Sequence, residues 1–299
     1  LRRQAPPDPR YLALSFGCAL KRLEGPCLYD ARSDDLYELN EEAAACLSRC
    51  DGTRTLEELA PEPKFLEFCL EEGLLDLLPA SQIRRQPPLI QSPLPSLRYL
   101  EVQLTGRCNL RCRHCYLGEP QAVDLPLSAA LTALAELEEM AGLRVMLSGG
   151  EPLAWPQLSA LNERLGEFAL RFVLLTNATL LTRELAERLA VQEVQVSLDG
   201  LERGHDLLRG AGNFRKALAG LEAARTSGKQ VSVATMLHPA NLSEMDGLAR
   251  LIDELEVREW GIDVPVRFGR LAGDDALWLS PEEAAPYLSL AFGGSYHGG

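Results

Sequence analysis

No cysteine follows position 115 in this chain of 299 residues, although eight lie at or before it. Nor does any apolar run approach the roughly 20 residues that a membrane span requires. The N-terminal stretch LRRQAPPDPR lacks the apolar core of a signal peptide. Positive charge is also scarce: 30 Lys and Arg stand against 43 Asp and Glu, a formal net charge of −13. A general nucleic-acid binder needs a basic face to neutralise phosphates, so this balance argues against one. The irregular cysteine spacing in so long a chain reads poorly as a disulfide framework, which favours reduced thiols or metal ligation. These exclusions leave a soluble, cytoplasmic chain as the expectation. It starts at Leu1 rather than Met and stops at AFGGSYHGG, so we expect 293–299 to begin a C-terminal extension that continues further.

Length favours two unequal domains over one. The stretch PASQIRRQPPLIQSPLPSLR carries five prolines, which interrupt helix and ladder alike and suit an extended linker. The expected division is therefore a small domain over 1–80, a linker over 81–97 and a larger domain over 98–292. In the small domain, CLYDARSDDLYELN offers two short alternating runs around Asp34 and Asp35, as a hairpin would. EEAAACLSRC and KFLEFCLEEGLLDLL carry helical spacing, and Thr53 or Thr55 can cap a helix between them, Glu58 completing a capping box with Thr55. Cys46 and Cys50, one helical turn apart, read as core or groove residues.

Downstream, strand-like and helical runs alternate. The strands are LRYLEVQLT, RVMLSGG, RFVLLTN, EVQVSLDG, QVSVATML and GIDVPVRFG. Helices are expected over 129–141, 155–169, 182–190, 214–227 and 242–256. Near-continuous apolar strands joined by helices imply parallel strands covered on the outside, so the fold class is α/β, six units forming a partial (β/α)6 barrel. Chemistry in such barrels sits at the C-terminal strand ends. Here those ends carry the glycines, cysteines and polar residues.

The first strand leads directly into TGRCNLRCRHCYLGEP, which packs Cys108, Cys112 and Cys115 into eight residues with no fourth cysteine behind them. Closed metal sites take four ligands, so three thiolates leave a position open. A zinc site completed by His114 requires that residue to turn onto the ion its two flanking cysteines already hold. Burial of the three as small hydrophobes is opposed by Arg107, Arg111 and Arg113, which interleave them.

The spacing Cys-x3-Cys-x2-Cys followed by Tyr116, then SGGEP, LLTNATLL and VSLDG, resembles the radical S-adenosylmethionine superfamily, over roughly 97–292. The resemblance implies that Cys108, Cys112 and Cys115 hold a [4Fe–4S] cluster whose fourth iron binds S-adenosylmethionine. It also implies an external reductant such as flavodoxin or ferredoxin. Gly149 and Gly150 would let the backbone approach the ligand, and Glu151 would accept from the methionyl ammonium. Asn177 closes the third strand, where the family commonly has glycine at the position of Ala178. Ser197 and Asp199, two residues apart, share a face and sit where the family binds ribose and carboxylate, although Asp199 can equally shape the turn with Gly200. Arg209, in the GHDLLRG stretch common among peptide-modifying members, can neutralise a carboxylate or stand exposed. Leu237 is the expected apolar contact for the adenine. No catalytic acid or base can be named.

From Tyr11 to Leu78 the small domain resembles the precursor-peptide recognition element of ribosomal-peptide maturation, a winged-helix-like α+β domain, through YDARSDDLYELN, DGTRTLEELA and FLEFCLEEGLLD. That resemblance implies a leader peptide added as an extra strand beside Leu36–Leu39 and Phe65–Leu74. The implied function is a maturase that crosslinks its peptide by hydrogen abstraction, through a thioether or carbon–carbon bond. Two alternatives are action on a porphyrin or other small molecule, and a winged-helix redox-sensing DNA regulator, which the acidic balance and the absence of a basic recognition helix oppose. With no cysteine beyond 115, one cluster per chain is expected.

Overall fold

The computed structural model describes residues 10–86 and 89–293, so the expectations placed on 1–9 and, beyond Gly293, on the segment 293–299 lie outside the described residues. Two compact units divide the chain. One gathers Leu1–Leu100 with Thr132–Arg144 and Glu167–Arg171, and the other holds the remainder.

The first unit begins with β1 (Tyr11–Leu14), β2 (Cys18–Arg22), β3 (Pro26–Asp30) and β4 (Asp35–Glu38). The helix α1 (Glu41–Leu47), β5 (Asp51–Thr55), α2 (Leu56–Leu59), α3 (Pro63–Glu71) and β6 (Leu75–Leu78) follow. Two three-stranded antiparallel sheets result, ordered β5-β1-β6 and β2-β3-β4. The hairpin expected around Asp34 and Asp35 is β3–β4, closed by Asp34 at φ +71°, a left-handed conformation that aspartate tolerates better than most residues. Asn40 caps α1 by accepting from Ala43 N (2.8 Å), and Thr55 caps α2 in the expected capping box with Glu58. The run LLDLL departs from the expectation of one long helix. Gly73 takes φ +65°, ends α3, and the chain turns back as β6 against β1. Leu12, Leu14, Leu47, Cys50, Cys69 and Leu74 are among the buried side chains of this unit's core. The proline-rich stretch 81–97 is fastened along the unit, with Gln82 N donating to Gly52 O (3.0 Å), Arg84 N to Asp51 O (2.8 Å) and Ser92 N to Arg22 O (2.8 Å).

A single six-stranded sheet organises the rest of the chain. Its elements are β7 (Tyr99–Gln103), α4 (Leu127–Glu139), β8 (Arg144–Ser148), α5 (Leu158–Asn162), β9 (Arg171–Thr176) and α6 (Arg183–Arg188). They continue with β10 (Glu193–Ser197), α7 (Glu202–Arg209), α8 (Asn213–Thr226), β11 (Gln230–Met236), α9 (Met245–Glu254), β12 (Glu259–Asp263) and α10 (Pro281–Gly293). All six expected strands are present, in the order β12-β11-β10-β9-β8-β7, and β9 through β12 pair in parallel. This is the partial (β/α)6 barrel, open between β7 and β12. The helix expected over 155–169 is broken into the short α5 flanked by 3-10 turns at Pro152–Ala154 and Leu165–Glu167. Gly166, one of the poorest helix formers, sits in the second of those turns. The sequence reading left α7 out, because it lies in the GHDLLRG stretch where glycines flank the helical run. Parallel pairing brings the C-terminal strand ends to one edge, and that edge carries the site.

Candidate functional site

The loop after β7 has little regular structure of its own, so its shape depends on hydrogen bonds to neighbours. Its base is closed by Gly106 N donating to Val123 O (2.7 Å) and Gln121 N donating to Gly106 O (2.8 Å). Arg113 N donates to Leu208 O (2.9 Å), and Arg270 N to Cys115 O (3.0 Å). The interleaved arginines all turn to carboxylates: Arg107 to Asp124, Arg111 to Glu119 and Arg113 to Asp274. That leaves Cys108, Cys112 and Cys115, each half-buried, on the wall of a cavity of about 480 Å3. Burial pushes the Cys108 thiol up to about 11 and raises Cys112, where the Arg209 guanidinium works the other way. Binding of these thiols to a metal therefore displaces protons.

Gly149 and Gly150 follow β8 at the cavity. A Cβ on Gly149 would lie 2.4 Å from Thr105 O, and one on Gly150 would lie 2.4 Å from Arg107 O. The missing side chains thus make room for the base of the cysteine loop, and both glycines also line the cavity. Gly150 N donates to Thr105 O (2.7 Å) and Glu151 N to Arg107 O (2.7 Å), which binds the β8 end to the loop.

Glu151, 1% exposed, accepts from Thr176 Oγ1 (2.7 Å), Leu153 N (3.1 Å) and Asn177 N (2.9 Å). A carboxylate has about four acceptor positions, so three donors leave room for one more. Burial raises its pKa, and those hydrogen bonds pull against the rise. Asn177 continues the chain of polar contacts: its Nδ2 donates to Asn109 Oδ1 (3.0 Å) and stands 4.0 Å from Cys108 Sγ. Asn109 in turn donates to Thr179 Oγ1 (2.7 Å), so a network runs from Glu151 into the cysteine loop. Sequence reasoning missed Asn109 and Thr179, since only the fold brings them together. Ala178 sits at φ +57°, the left-handed conformation that would favour the glycine common in the family.

Ser197 lines the cavity with Gln195 two residues before it. Asp199, 1% exposed, pairs with Arg209 at 2.5 Å and accepts from Met236 N (2.9 Å). Burial alone would raise the Asp199 carboxyl, but the adjacent Arg209 guanidinium holds it well below the usual range. Arg209 is therefore neither exposed nor free; its side chain is 12% exposed and neutralises the protein's own carboxylate. Arginine only donates, so His114 Nε2, 3.3 Å from Arg209 Nη2, accepts. Burial pushes that imidazole down to about 4, leaving it neutral. Tyr116, 50% exposed, lines the mouth and accepts from Gln103 Nε2 (3.3 Å). Leu237, expected against the adenine, does not line the cavity. It is fully buried away from the cavity, while Ala234 and Met236, on the opposite face of β11, line it. Asp263, Val264, Val266 and Phe268 complete that side and carried no sequence signal.

An α/β partial barrel with three thiols on the loop after its first strand, and a cavity at its strand ends that sets polar groups in a largely apolar lining, defines a cofactor-dependent enzyme. Residues 102–252 match the Radical SAM superfamily, and the chain belongs to it. Over 194 residues the chain is 34% identical to the AdoMet-dependent heme synthase of Methanosarcina barkeri, covering 62% of this chain and 55% of that protein. It is 33% identical to the mycofactocin maturase MftC of Mycobacterium ulcerans over 160 residues, covering 50% of this chain and 43% of that one. SuiB of Streptococcus suis bound to S-adenosylmethionine superposes with a TM-score of 0.65 at 16% identity, covering 93% of this chain and 69% of that one. At that identity the likeness is one of fold. The chain spans about half the length of the curated relatives it matches.

The family's cofactors are a [4Fe–4S] cluster and S-adenosylmethionine, and the residues present fit them. Three thiols on the wall of one cavity match the thiolate ligation of such a cluster, and Glu151 keeps an acceptor position for an ammonium. Among the described residues no three His, Cys, Asp or Glu side chains are grouped about a single ion. His114, the zinc candidate, is instead engaged with Arg209.

Proposed function

We propose that the chain docks a ribosomally made precursor peptide on the small domain over 1–80 and modifies it in the cavity of the barrel over 98–292. Cys108, Cys112 and Cys115 hold the cluster. Glu151 accepts from the methionyl ammonium, Ser197 faces the ribose or carboxylate, and Met236 takes the place expected of Leu237 against the adenine. Asp199 and Arg209 position the cysteine loop through His114. When bound, the cofactors supply one-electron cleavage of the sulfonium C–S bond, giving methionine and a 5′-deoxyadenosyl radical that takes a hydrogen from the substrate. The outcome on the peptide would be a crosslink, thioether or carbon–carbon, with S-adenosylmethionine as the net two-electron oxidant: of the two hydrogens lost by the peptide, one leaves in 5′-deoxyadenosine and the other as a proton. A flavodoxin or ferredoxin supplies the electron, and the setting is the cytoplasm, in keeping with eight unpaired thiols. No helix among the described residues is long and apolar enough to cross a membrane.

The observation that carries this reading is the edge of β4. Among the described residues its only paired neighbour is β3, and the alternation of the antiparallel ladder turns the backbone groups of Leu36 and Glu38 outward. Beside that edge stands α3, with Phe68 against Tyr37 at a ring-centroid distance of 5.8 Å. An edge flanked by apolar side chains suits β-strand addition. SuiB, the fold neighbour covering 86% of this chain, is known bound to its precursor peptide SuiA.

A second reading, action on a porphyrin, is favoured by sequence similarity: the identity to AdoMet-dependent heme synthase extends over more of the chain than that to MftC. Incubating the reconstituted protein with reductant and S-adenosylmethionine separates the two. Peptide maturation predicts 5′-deoxyadenosine release stimulated by a short peptide encoded beside the gene, with that peptide losing two hydrogens by mass spectrometry. Stimulation by Fe-coproporphyrin alone would establish the second reading instead.

A further inference from the structure

Of the carboxylates that face the cavity, Asp199 is neutralised by Arg209, and Glu151 is held by three donors with room for an ammonium. Two others, Glu101 and Asp263, are exposed at the cavity and paired with no cation among the described residues. Asp263 closes β12 and has no cation or donor on its carboxylate among the described residues, while Glu101 on β7 accepts only from Ser148 Oγ (2.6 Å). These residues belong to the two edge strands of the sheet, so acid stands on either side of the barrel's open seam. After Asp263 come Val264, Val266 and Phe268, 44%, 68% and 66% exposed, and all three line the same cavity as half-exposed Tyr116. Such a run of exposed apolar side chains is costly to leave in water and marks a binding wall, and the exposed Asp263 carboxylate beside it is open to a cationic partner.

We propose that the segment 263–268 is the substrate-facing wall, and that Asp263, with Glu101 opposite, selects a peptide segment. That segment sets a cation or amide donor beside an aliphatic or aromatic side chain. Like charges juxtaposed in a cavity repel, so the same pair rejects carboxylate-rich ligands, including propionate-bearing macrocycles. The proposal rests on the peptide-modification reading and names the chemistry of its substrate. It places specificity in the barrel itself, apart from docking on β4.

The test uses the full chain, reconstituted with cluster and S-adenosylmethionine under anaerobic conditions. Binding of two capped tripeptides, Lys-Val-Phe and Glu-Val-Phe, and of Fe-coproporphyrin is measured by equilibrium dialysis. The wild type should bind the lysine peptide about fivefold more tightly than its glutamate twin. Asp263→Asn should abolish most of that preference and Asp263→Lys should invert it, while iron content and S-adenosylmethionine binding stay unchanged. Equal binding of the twins by the wild type, or a preference that persists in Asp263→Lys, overturns the proposal. So does porphyrin binding at least as tight as that of the lysine peptide. A charge preference that holds while no adjacent-gene peptide is modified sustains the wall and instead defeats the docking reading.

Discussion

The five cysteines of the first 80 residues and the three of the 108–115 loop are the same chemical group in opposite settings. Cys27, Cys50 and Cys69 are at most 3% exposed and packed in core clusters, and Cys50 Sγ donates to Cys46 O (3.4 Å) as a small core residue would. Burial pushes Cys18 and Cys50 up to about 12 and Cys69 up to about 11. Yet burial also pushes Cys108 up to about 11. Thiol acidity therefore does not separate ligand from filler. What separates them is the support: apolar side chains surround Cys27, Cys50 and Cys69, whereas the loop is held by hydrogen bonds and ion pairs that leave three sulfurs facing one cavity.

The largest effect that can break this comparison is on iron. Cys112→Ala should lower iron from about four per chain to a small fraction of that and abolish 5′-deoxyadenosine formation. Cys69→Ala should keep the iron and cost only about 1–2 kcal/mol in urea unfolding. Iron retained by the first variant, or lost by the second, would erase the distinction, and about eight irons in the wild type would contradict a single cluster. Next in size is Asp199→Asn, which strands the buried Arg209 without its counter-charge and should cost about 3–5 kcal/mol, together with lower iron retention. An unchanged denaturation midpoint would show that the loop does not depend on the pair.

A pH dependence follows from His205, which is fully buried behind Asp199 with its Nδ1 accepting from Asp199 N (3.2 Å). Burial, then the Arg209 charge, lowers it from 6.5 to about 4. The unfolded chain therefore binds the proton first as pH falls. Stability present above pH 6.5 should decline between 6.5 and 4, by on the order of 2–3 kcal/mol, and His205→Gln should flatten that slope in chemical unfolding. The smallest effect sharpens the comparison at the network. Ala178→Gly relieves a left-handed alanine and should leave stability unchanged or raise it by up to about 1 kcal/mol, with iron content unaltered. A clear loss of stability would mean that the Ala178 methyl packs usefully against Gly220, where the fit is close.

Much of the second unit was legible because its signals are local. Apolar runs of β-strand length, separated by helical periods, placed all six strands of the sheet. Helices were read less well where glycines interrupt them, as at 155–169 and in α7. In the small domain, Thr55 and Glu58 marked a helix start through their spacing alone, but LLDLL read as helix because a short apolar run fits both periods. Pairing with β1 decided for strand.

From the sequence by itself came the three-thiol loop, the polar strand ends and the positions at which both must occur, since these depend on neighbours along the chain. The tertiary structure alone decided what each of those residues faces. It turned Met236 rather than Leu237 into the cavity, filled the space beside Gly149 and Gly150 with the loop's own backbone, and gave Arg209 to Asp199. The reason is that facing and pairing are set by which strands and loops come side by side, through contacts between residues that can lie far apart in the chain.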